Sequence, residues 1–253
     1  MSSNPISISA PSAASLYIQM RFGETILASG TGFLVRHDGQ VFLATAGHCL
    51  SGRDPRTRQP LSEHGGVPDT IDILHNASGQ LGVHVTRTEA LLDDDGQPRW
   101  LAHPNGSELD VGALPLTQLD GVEVLDIYDP DNVGADLAFG PASRVSIVGF
   151  PFGLTGGGGF AVWVSGFVAS EPELGYEGQP LFLVDARTRT GQSGSPVLIY
   201  EGSGSGTLAG GGLGFFPGPV TRFLGIYGGR IDGRTDLGYV WMPSTLSAVI
   251  AQT

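Results

Sequence analysis

The residues best suited to chemistry lie in a glycine-rich segment of the second half of the chain, residues 190–196 (TGQSGSP). Apolar, strand-like runs flank it at residues 181–186 and 197–200. A serine on a glycine turn between two strands can expose its hydroxyl, and neighbouring backbone N–H groups can bind an oxyanion. Because a serine hydroxyl is a weak nucleophile without a base, Ser193 needs a base from elsewhere in the chain.

The order of histidines and serine restricts the class of serine enzyme. Six histidines could supply the base, and all precede Ser193: His37, His48, His64, His75, His84 and His103. This excludes the α/β-hydrolase order of serine, acid, histidine. The subtilisin order needs an acid before the histidine and a helix-rich α/β sheet, which this sequence does not predict. The order that remains is histidine, aspartate, serine. The chain has no lysine, which excludes serine–lysine and Schiff-base mechanisms.

His48 is the histidine best placed to act as the base. It follows a buried-strand pattern that ends in small residues, at residues 41–47 (VFLATAG), whereas the other histidines fall in turns, loop borders or weaker contexts. Asp110 leads directly into an apolar strand at residues 111–116, where a buried carboxylate needs a donor such as a histidine N–H. Asp136 is a competing candidate, but the next predicted strand follows it closely.

Composition indicates many short strands and argues against several partners. The 253 residues include 40 glycines and 17 prolines, which favour strands and turns over long helices. A net charge of -12 argues against binding to nucleic acid or anionic lipid. The acidic clusters at residues 93–95 and 126–131 lack a calcium-loop pattern. We therefore expect no metal, no cofactor, no nucleic-acid partner and no membrane partner.

Cysteine usage bears on the cellular compartment. Cys49 is the only cysteine, so an intrachain disulfide is impossible. Residues 1–20 lack the basic start and apolar core of a secretory signal. We expect a cytoplasmic protein, or a secreted one if a leader was removed.

The pattern along the chain predicts an all-β fold with two packed six-stranded antiparallel β-barrels and a short C-terminal helix. We expect a loose tail over residues 1–14, then one domain over 15–253, with barrels at about 15–125 and 140–242 and a helix at about 243–252. Residues 51–68 and 202–219 read as long loops. The predicted strands are 16–20, 26–36, 40–45, 70–75, 82–88, 109–116, 122–128, 144–150, 160–169, 181–186, 197–200, 223–227 and 238–242.

Three segments in this order resemble the motifs of the trypsin-like (chymotrypsin-fold) serine peptidases. They are residues 45–49 (TAGHC), 110–114 (DVGAL) and 191–196 (GQSGSP). The serine segment is similar to that of bacterial glutamyl endopeptidases. Residues 144–153 (RVSIVGFPFG) are similar to a stretch of the bacterial high-temperature-requirement proteases.

The resemblance implies a serine endopeptidase acting on a protein or peptide substrate through an acyl-enzyme. Ser193 would be the nucleophile, His48 the general base and Asp110 the group that orients it. The backbone N–H groups of Gly191 and Ser193 would form the oxyanion hole. The alternative is a catalytically silent or partner-gated module that serves as a binding or effector domain, with a regulatory protein as a possible partner.

The departures from the family pattern limit this expectation. Gln192 stands where zymogen-activated members carry an aspartate, which argues against activation by a new N-terminus. Gly228 aligns where many members have a hydroxyl near the aspartate. Arg187, Tyr227 and Arg230 fall at substrate-pocket positions. Arginine there would suit acidic side chains, and a preference for small or apolar residues is equally open.

Overall fold

The computed structural model of the chain describes residues 7–253, and its first half forms an antiparallel sheet. Helix α1 (Ala10–Ala14) precedes the sheet, and helix α2 (Gly47–Ser51) follows its third strand. The strand order is β5-β4-β1-β2-β3-β7-β6. The strands are β1 (Ser15–Phe22), β2 (Thr25–His37), β3 (Gln40–Ala46), β4 (Thr70–Ala77), β5 (Gln80–Ala90), β6 (Leu101–Ala102) and β7 (Val111–Pro115).

The β2–β3 hairpin shows how local sequence sets the register of this sheet. His37 pairs with Gln40, which leaves Asp38 and Gly39 as a two-residue turn. Both turn residues have positive φ, 44° and 82°. This is the backbone of the tight turn that an Asp-Gly pair favours, and its twist matches that of the flanking strands. The turn thereby fixes the strand that runs directly into α2.

The second half forms a closed barrel with the strand order β10-β15-β14-β11-β8-β9. Helix α3 (Pro243–Ile250) follows the last strand and buries its apolar side through Leu246, Val249 and Ile250. The barrel strands are β8 (Arg144–Gly149), β9 (Val162–Val168), β10 (Leu181–Ala186), β11 (Pro196–Glu201), β14 (Val220–Arg230) and β15 (Leu237–Trp241). Strands β12 (Ser205–Thr207) and β13 (Leu213–Phe215) form a separate hairpin between β11 and β14.

One hydrophobic cluster joins the two halves. Phe33 from the sheet packs edge-on against Phe223 from the barrel, with ring centroids 5.6 Å apart. Leu246 of α3 belongs to the same buried cluster. Burying each such side chain contributes about 1.5–3 kcal/mol, so the sheet and barrel are held face to face. The ends of their strands meet along one cleft.

The predicted fold class is confirmed, with differences in detail. The first half has seven strands in an open order instead of six in a closed ring. Residues 122–128 form no strand, since only Val122 makes an isolated bridge. The β12–β13 hairpin interrupts the loop predicted at residues 202–219.

The predicted loose tail is wrong for residues 10–14, because α1 packs Pro11 and Ala14 against the core. Residues 1–6 of that tail lie outside the described part of the chain. Among residues 7–253, no helix is both long and apolar enough to cross a membrane.

Candidate active site

The sheet brings His48 and Asp110 together at the ends of two neighbouring strands. His48 lies in α2 directly after β3, and Asp110 immediately precedes β7, which pairs with β3. His48 Nδ1 lies 2.6 Å from Asp110 Oδ2, and the His48 backbone N–H donates to Asp110 Oδ1 at 2.7 Å. Both carboxylate oxygens of Asp110 are therefore occupied by one residue, which holds the His48 ring in place.

The environment of His48 favours its protonated form. Burial alone would lower the pKa of His48, but the negative charge of Asp110 and its hydrogen bond, with a smaller contribution from Cys49, raise that pKa well above 6.5. The carboxylate itself is almost fully buried, with 2% of its side chain exposed. The pair is thus arranged to stabilise a positive charge when His48 accepts a proton.

The barrel supplies Ser193 on the turn between β10 and β11. Gly191 and Gly194 on either side of Ser193 have φ of +94° and +86°. A Cβ at Gly191 would lie 2.4 Å from the Phe150 carbonyl oxygen, and one at Gly194 would lie 2.0 Å from the Thr31 carbonyl oxygen. Only glycine satisfies both the backbone angle and the close approach at these two positions.

His48, Ser193 and Gly191 line one cavity of about 300 Å³ between the two halves of the molecule. The Ser193 hydroxyl donates to the carbonyl oxygen of Gly228 at 3.2 Å. In the described part of the chain it makes no hydrogen bond to His48. The structure therefore shows the nucleophile candidate beside its base candidate with the hydroxyl turned toward β14.

The backbone carbonyls and N–H groups around Ser193 differ in their hydrogen bonding. The Thr190 carbonyl accepts from the Phe152 N–H at 2.6 Å, and the Gly191 carbonyl accepts from Thr31 Oγ1 at 2.9 Å. Both carbonyls thus have donor partners. Within residues 7–253, the N–H groups of Gly191 and Ser193 have no hydrogen-bond acceptor. They are available to a negatively charged oxygen.

Thr31 is a structural residue of the site that the sequence analysis did not identify. Its N–H donates to the Ser193 carbonyl at 2.9 Å, and its carbonyl accepts from Thr45 Oγ1 at 2.7 Å. It is fully buried in β2, so it ties the sheet to the serine turn of the barrel. The available signal was a threonine between Gly30 and Gly32, directly before the apolar run of residues 33–35.

The competing acid, Asp136, lies away from His48. It pairs with Arg222 at 3.6 Å, and its side chain is 75% exposed. Gly228 aligns with a position where many family members carry a hydroxyl. The Tyr239 ring fills the space that such a side chain would occupy, because a Cβ at Gly228 would lie 2.1 Å from Tyr239 Cε2. The second hydrogen bond of Asp110 comes from the backbone of His48 instead.

The three predicted substrate-pocket residues separate in the structure. Tyr227 and Arg230 line the cavity, whereas Arg187 is exposed and lies outside its lining. Arg189 lines the cavity in its place and lies 3.6 Å from Asp236. Arg187 lies one residue after the end of β10 and is exposed. The next residue, Thr188, is buried and forms part of the cavity wall.

Gln192, at the zymogen-aspartate position, stabilises the serine turn locally. It is fully buried, and its Oε1 accepts from the Arg189 N–H at 2.8 Å. Among the described residues, no cluster of three or more His, Cys, Asp or Glu side chains could hold a metal ion. The chemical groups at this site are therefore an imidazole–carboxylate pair, a hydroxyl and backbone donors.

Comparisons with known proteins identify a family and similar folds. A family model described as a trypsin-like peptidase domain matches residues 30–205, more than half of the chain. No curated protein sequence gives a significant match. The fold is similar to that of the Rv3671c protease from M. tuberculosis in its active form, with a TM-score of 0.51, 14% identity, and 96% of this chain and 81% of that chain covered.

A second solved structure has a similar fold. It is the serine endoprotease from Yersinia pestis, with a TM-score of 0.50 and 13% identity. The match covers 98% of this chain and 67% of that one.

Proposed function

The chain belongs to the trypsin-like peptidase family, and from that premise we propose that it is a serine endopeptidase that cleaves protein or peptide substrates. The observation that carries the proposal is one cavity lined by His48, Ser193 and Gly191, with Asp110 holding His48 by two hydrogen bonds. Family membership supports a peptidase, and the geometry supports the roles of the individual residues.

In the proposed acylation step, Ser193 Oγ attacks the carbonyl carbon of the scissile peptide bond. His48 Nε2 accepts the hydroxyl proton as the C–O bond forms, and Asp110 stabilises the resulting imidazolium. The carbonyl oxygen becomes an oxyanion and binds the N–H groups of Gly191 and Ser193. His48 then returns the proton to the leaving amine as the C–N bond breaks, which leaves an ester on Ser193.

Deacylation repeats these steps with water. His48 takes a proton from the water, whose oxygen attacks the ester carbon, and the proton returns to Ser193 Oγ when the acyl group leaves. The cycle consumes one water per peptide bond and needs no cofactor.

Catalysis requires the Ser193 hydroxyl to leave the Gly228 carbonyl, to which it donates at 3.2 Å. Rotation about the Cα–Cβ bond of Ser193 redirects the hydroxyl toward His48, and substrate binding can supply the bias, since catalytic hydrogen bonds often tighten only in the complex. The same observation favours a second candidate, a partner-gated form in which a regulatory protein must shift this hydroxyl before the enzyme works.

An active-site label tests the proposal. A fluorophosphonate probe should label the native chain, and Ser193→Ala should abolish labelling. Ser195→Ala is the matched control, because Ser195 lies two residues away, is fully buried and has a hydroxyl with no hydrogen-bond partner among residues 7–253. It should still label. Native protein that never labels, or labelling that survives in Ser193→Ala, contradicts the proposed chemistry. Labelling only after a partner is added supports the gated form.

A further inference from the structure

The cavity beside Ser193 has two sides that can be assigned to the two parts of a substrate. His48 must return its proton to the leaving amine, so the leaving group lies on the His48 side of the cavity. That side is lined by the sheet, including Leu27 and Cys49. The acyl part therefore lies on the opposite side, between residues 188–191 and residues 227–230 of the barrel. We name the space between these two segments the acyl-side pocket.

The mouth and the bottom of the acyl-side pocket differ in exposure. Thr190 and Arg230 are exposed and lie at its mouth. Thr188 and Tyr227 also line the cavity, but only 1% and 2% of their surfaces are exposed. These two residues come from opposite walls. They therefore lie at the bottom of the pocket.

A side-chain hydrogen bond joins the two walls at that bottom. The Tyr227 hydroxyl lies 2.5 Å from Thr188 Oγ1. The Tyr227 ring also packs against Gly238 of β15, where a Cβ would lie 2.6 Å from the ring atom Cε2. The ring is thus held on one side by β15 and at its tip by Thr188. A substrate side chain cannot pass between the walls beyond this bond.

The arginines near the acyl-side pocket lie at its mouth or are already paired. Arg189 donates to the Thr188 carbonyl at 2.6 Å and lies 3.6 Å from Asp236. Arg230 is exposed and lines the rim. The bottom presents a phenol and a threonine, both uncharged at neutral pH. Nothing there compensates a buried ionic side chain, and burying an unpaired charge is costly.

On the basis of the proposed function, we infer that Tyr227 sets substrate specificity by closing the acyl-side pocket, so that the residue contributing the acyl group is small and uncharged: glycine, alanine or serine. Larger apolar side chains meet the Tyr227 ring, and acidic or basic ones find no counter-charge at the bottom. In a packed apolar pocket, one additional methylene group on the substrate changes kcat/KM by about 10- to 200-fold.

The test compares cleavage of matched peptides that differ only in the acyl-side residue. The wild type should cleave after alanine at least tenfold more efficiently, in kcat/KM, than after phenylalanine or leucine. Tyr227→Val should raise the phenylalanine-to-alanine ratio at least tenfold. Tyr227→Phe keeps the ring and should keep the preference for small residues. Tyr200→Val is the control, since Tyr200 is a part-buried aromatic that does not line the cavity.

Phosphonate probes on the wild type keep the test decisive if Tyr227→Val does not fold. A peptidyl diphenyl phosphonate with an alanine side chain should label Ser193 at least tenfold faster than one with a phenylalanine side chain. A wild-type preference for large, acidic or basic residues overturns the inference, as does a folded Tyr227→Val with unchanged preference. In either case fluorophosphonate labelling persists and the proposed function stands. Absence of fluorophosphonate labelling overturns the proposed function itself.

Discussion

The two halves of the molecule hold their functional groups in different ways. In the sheet, the Asp110 carboxylate holds the ring and the backbone N–H of His48 at 2.6 and 2.7 Å, at the ends of regular elements. The barrel positions Ser193 and the proposed oxyanion donors through backbone conformation, with Gly191 and Gly194 at positive φ. In the proposed mechanism, the sheet therefore controls where the proton resides, and the barrel controls where the reacting atoms lie. Substitutions in the two halves should fail in different ways.

The largest effect that separates the halves is expected for Asp110→Asn. An asparagine has nearly the same size and shape as the Asp110 side chain, but it lacks the negative charge that raises the pKa of His48. It also favours the tautomer of His48 that cannot accept the Ser193 proton. This substitution typically lowers kcat by about 10⁴-fold.

The pH profile of Asp110→Asn gives the direction of the electrostatic change. His48 must be neutral to accept the Ser193 proton, so the rising limb of kcat/KM in the wild type should lie above pH 6.5 because the pKa of His48 is raised. Asp110→Asn should move that limb to lower pH. A limb that stays in place would mean that Asp110 does not set the pKa of His48. Asp136→Asn is the matched control and should change neither rate nor limb.

The second-largest effect on kcat is expected in the barrel. Gly191→Ala should displace the Gly191 N–H, one of the two proposed oxyanion donors. The added methyl would lie 2.4 Å from the Phe150 carbonyl oxygen, and alanine disfavours a φ of +94°. Loss of one such donor costs about 10²–10³-fold in kcat. The pH limb should not move. Gly218→Ala, at a glycine with open space around it, should leave kcat and folding intact.

The sequence predicted which residues lie at the site better than it predicted the groups that surround them. His48, Asp110 and Ser193 were predicted from chain order and strand context, because strand ends in sequence become neighbours when the strands pair. The spacing between Arg187 and Ser193 predicted that Arg187 lies in the substrate pocket. In the structure Arg187 is exposed, and the spacing along the sequence cannot show how the chain turns after β10. Gly228 suggested a missing hydrogen bond, yet the Tyr239 ring fills its place from another strand.

The same limit applies to the fold. Strands with alternating or fully apolar patterns were predicted within a few residues. Residues 122–128 were also predicted as a strand, but they form a loop that buries Val122 and Tyr128. The Tyr128 ring packs edge-on against Phe33, with ring centroids 5.1 Å apart. Apolar content signals burial, whereas strand formation also needs a free partner edge, which only the assembled sheet determines.

A smaller effect is expected where the barrel backbone is braced from outside the serine turn. Phe152 has a φ of +55°, rare for a bulky residue, and its N–H donates to the Thr190 carbonyl. Phe152→Pro removes that donor and forces φ to about −65°. We expect kcat to fall about 10- to 100-fold with little change in KM, since small displacements of reacting groups are costly.

Phe152→Gly separates the backbone brace from the aromatic ring. Glycine keeps the N–H and adopts positive φ freely, so this variant should lose less activity than Phe152→Pro and should unfold at a higher temperature than Phe152→Pro. Equal losses of kcat in both variants would show that the ring, and not the hydrogen bond to Thr190, supports the turn.

The smallest effect on catalysis is expected from a covalent link inside the sheet half. A Cβ at Gly30 would lie 3.1 Å from the sulfur of Cys49, close to the separation of about 3 Å that an S–S bond of about 2.05 Å sets between one Cβ and the other sulfur. Gly30→Cys should therefore form a disulfide with Cys49 under oxidising conditions, measured by loss of free thiols and by mass.

The energetic effect of that disulfide follows from the loop it closes. For a loop of this size, the disulfide is expected to add about 3 kcal/mol to the free energy of unfolding. Denaturant titration with and without reductant measures this difference. Gly30→Ser, which adds a similar atom without the bond, is the control. The link should raise stability, but it also removes the Cys49 thiol, which contributes less than Asp110 to the raised pKa of His48. The pH limb of kcat/KM should therefore move to lower pH by less than it does in Asp110→Asn. A disulfide that moves this limb as far as Asp110→Asn does would show that Asp110 is not the main group that raises the pKa of His48.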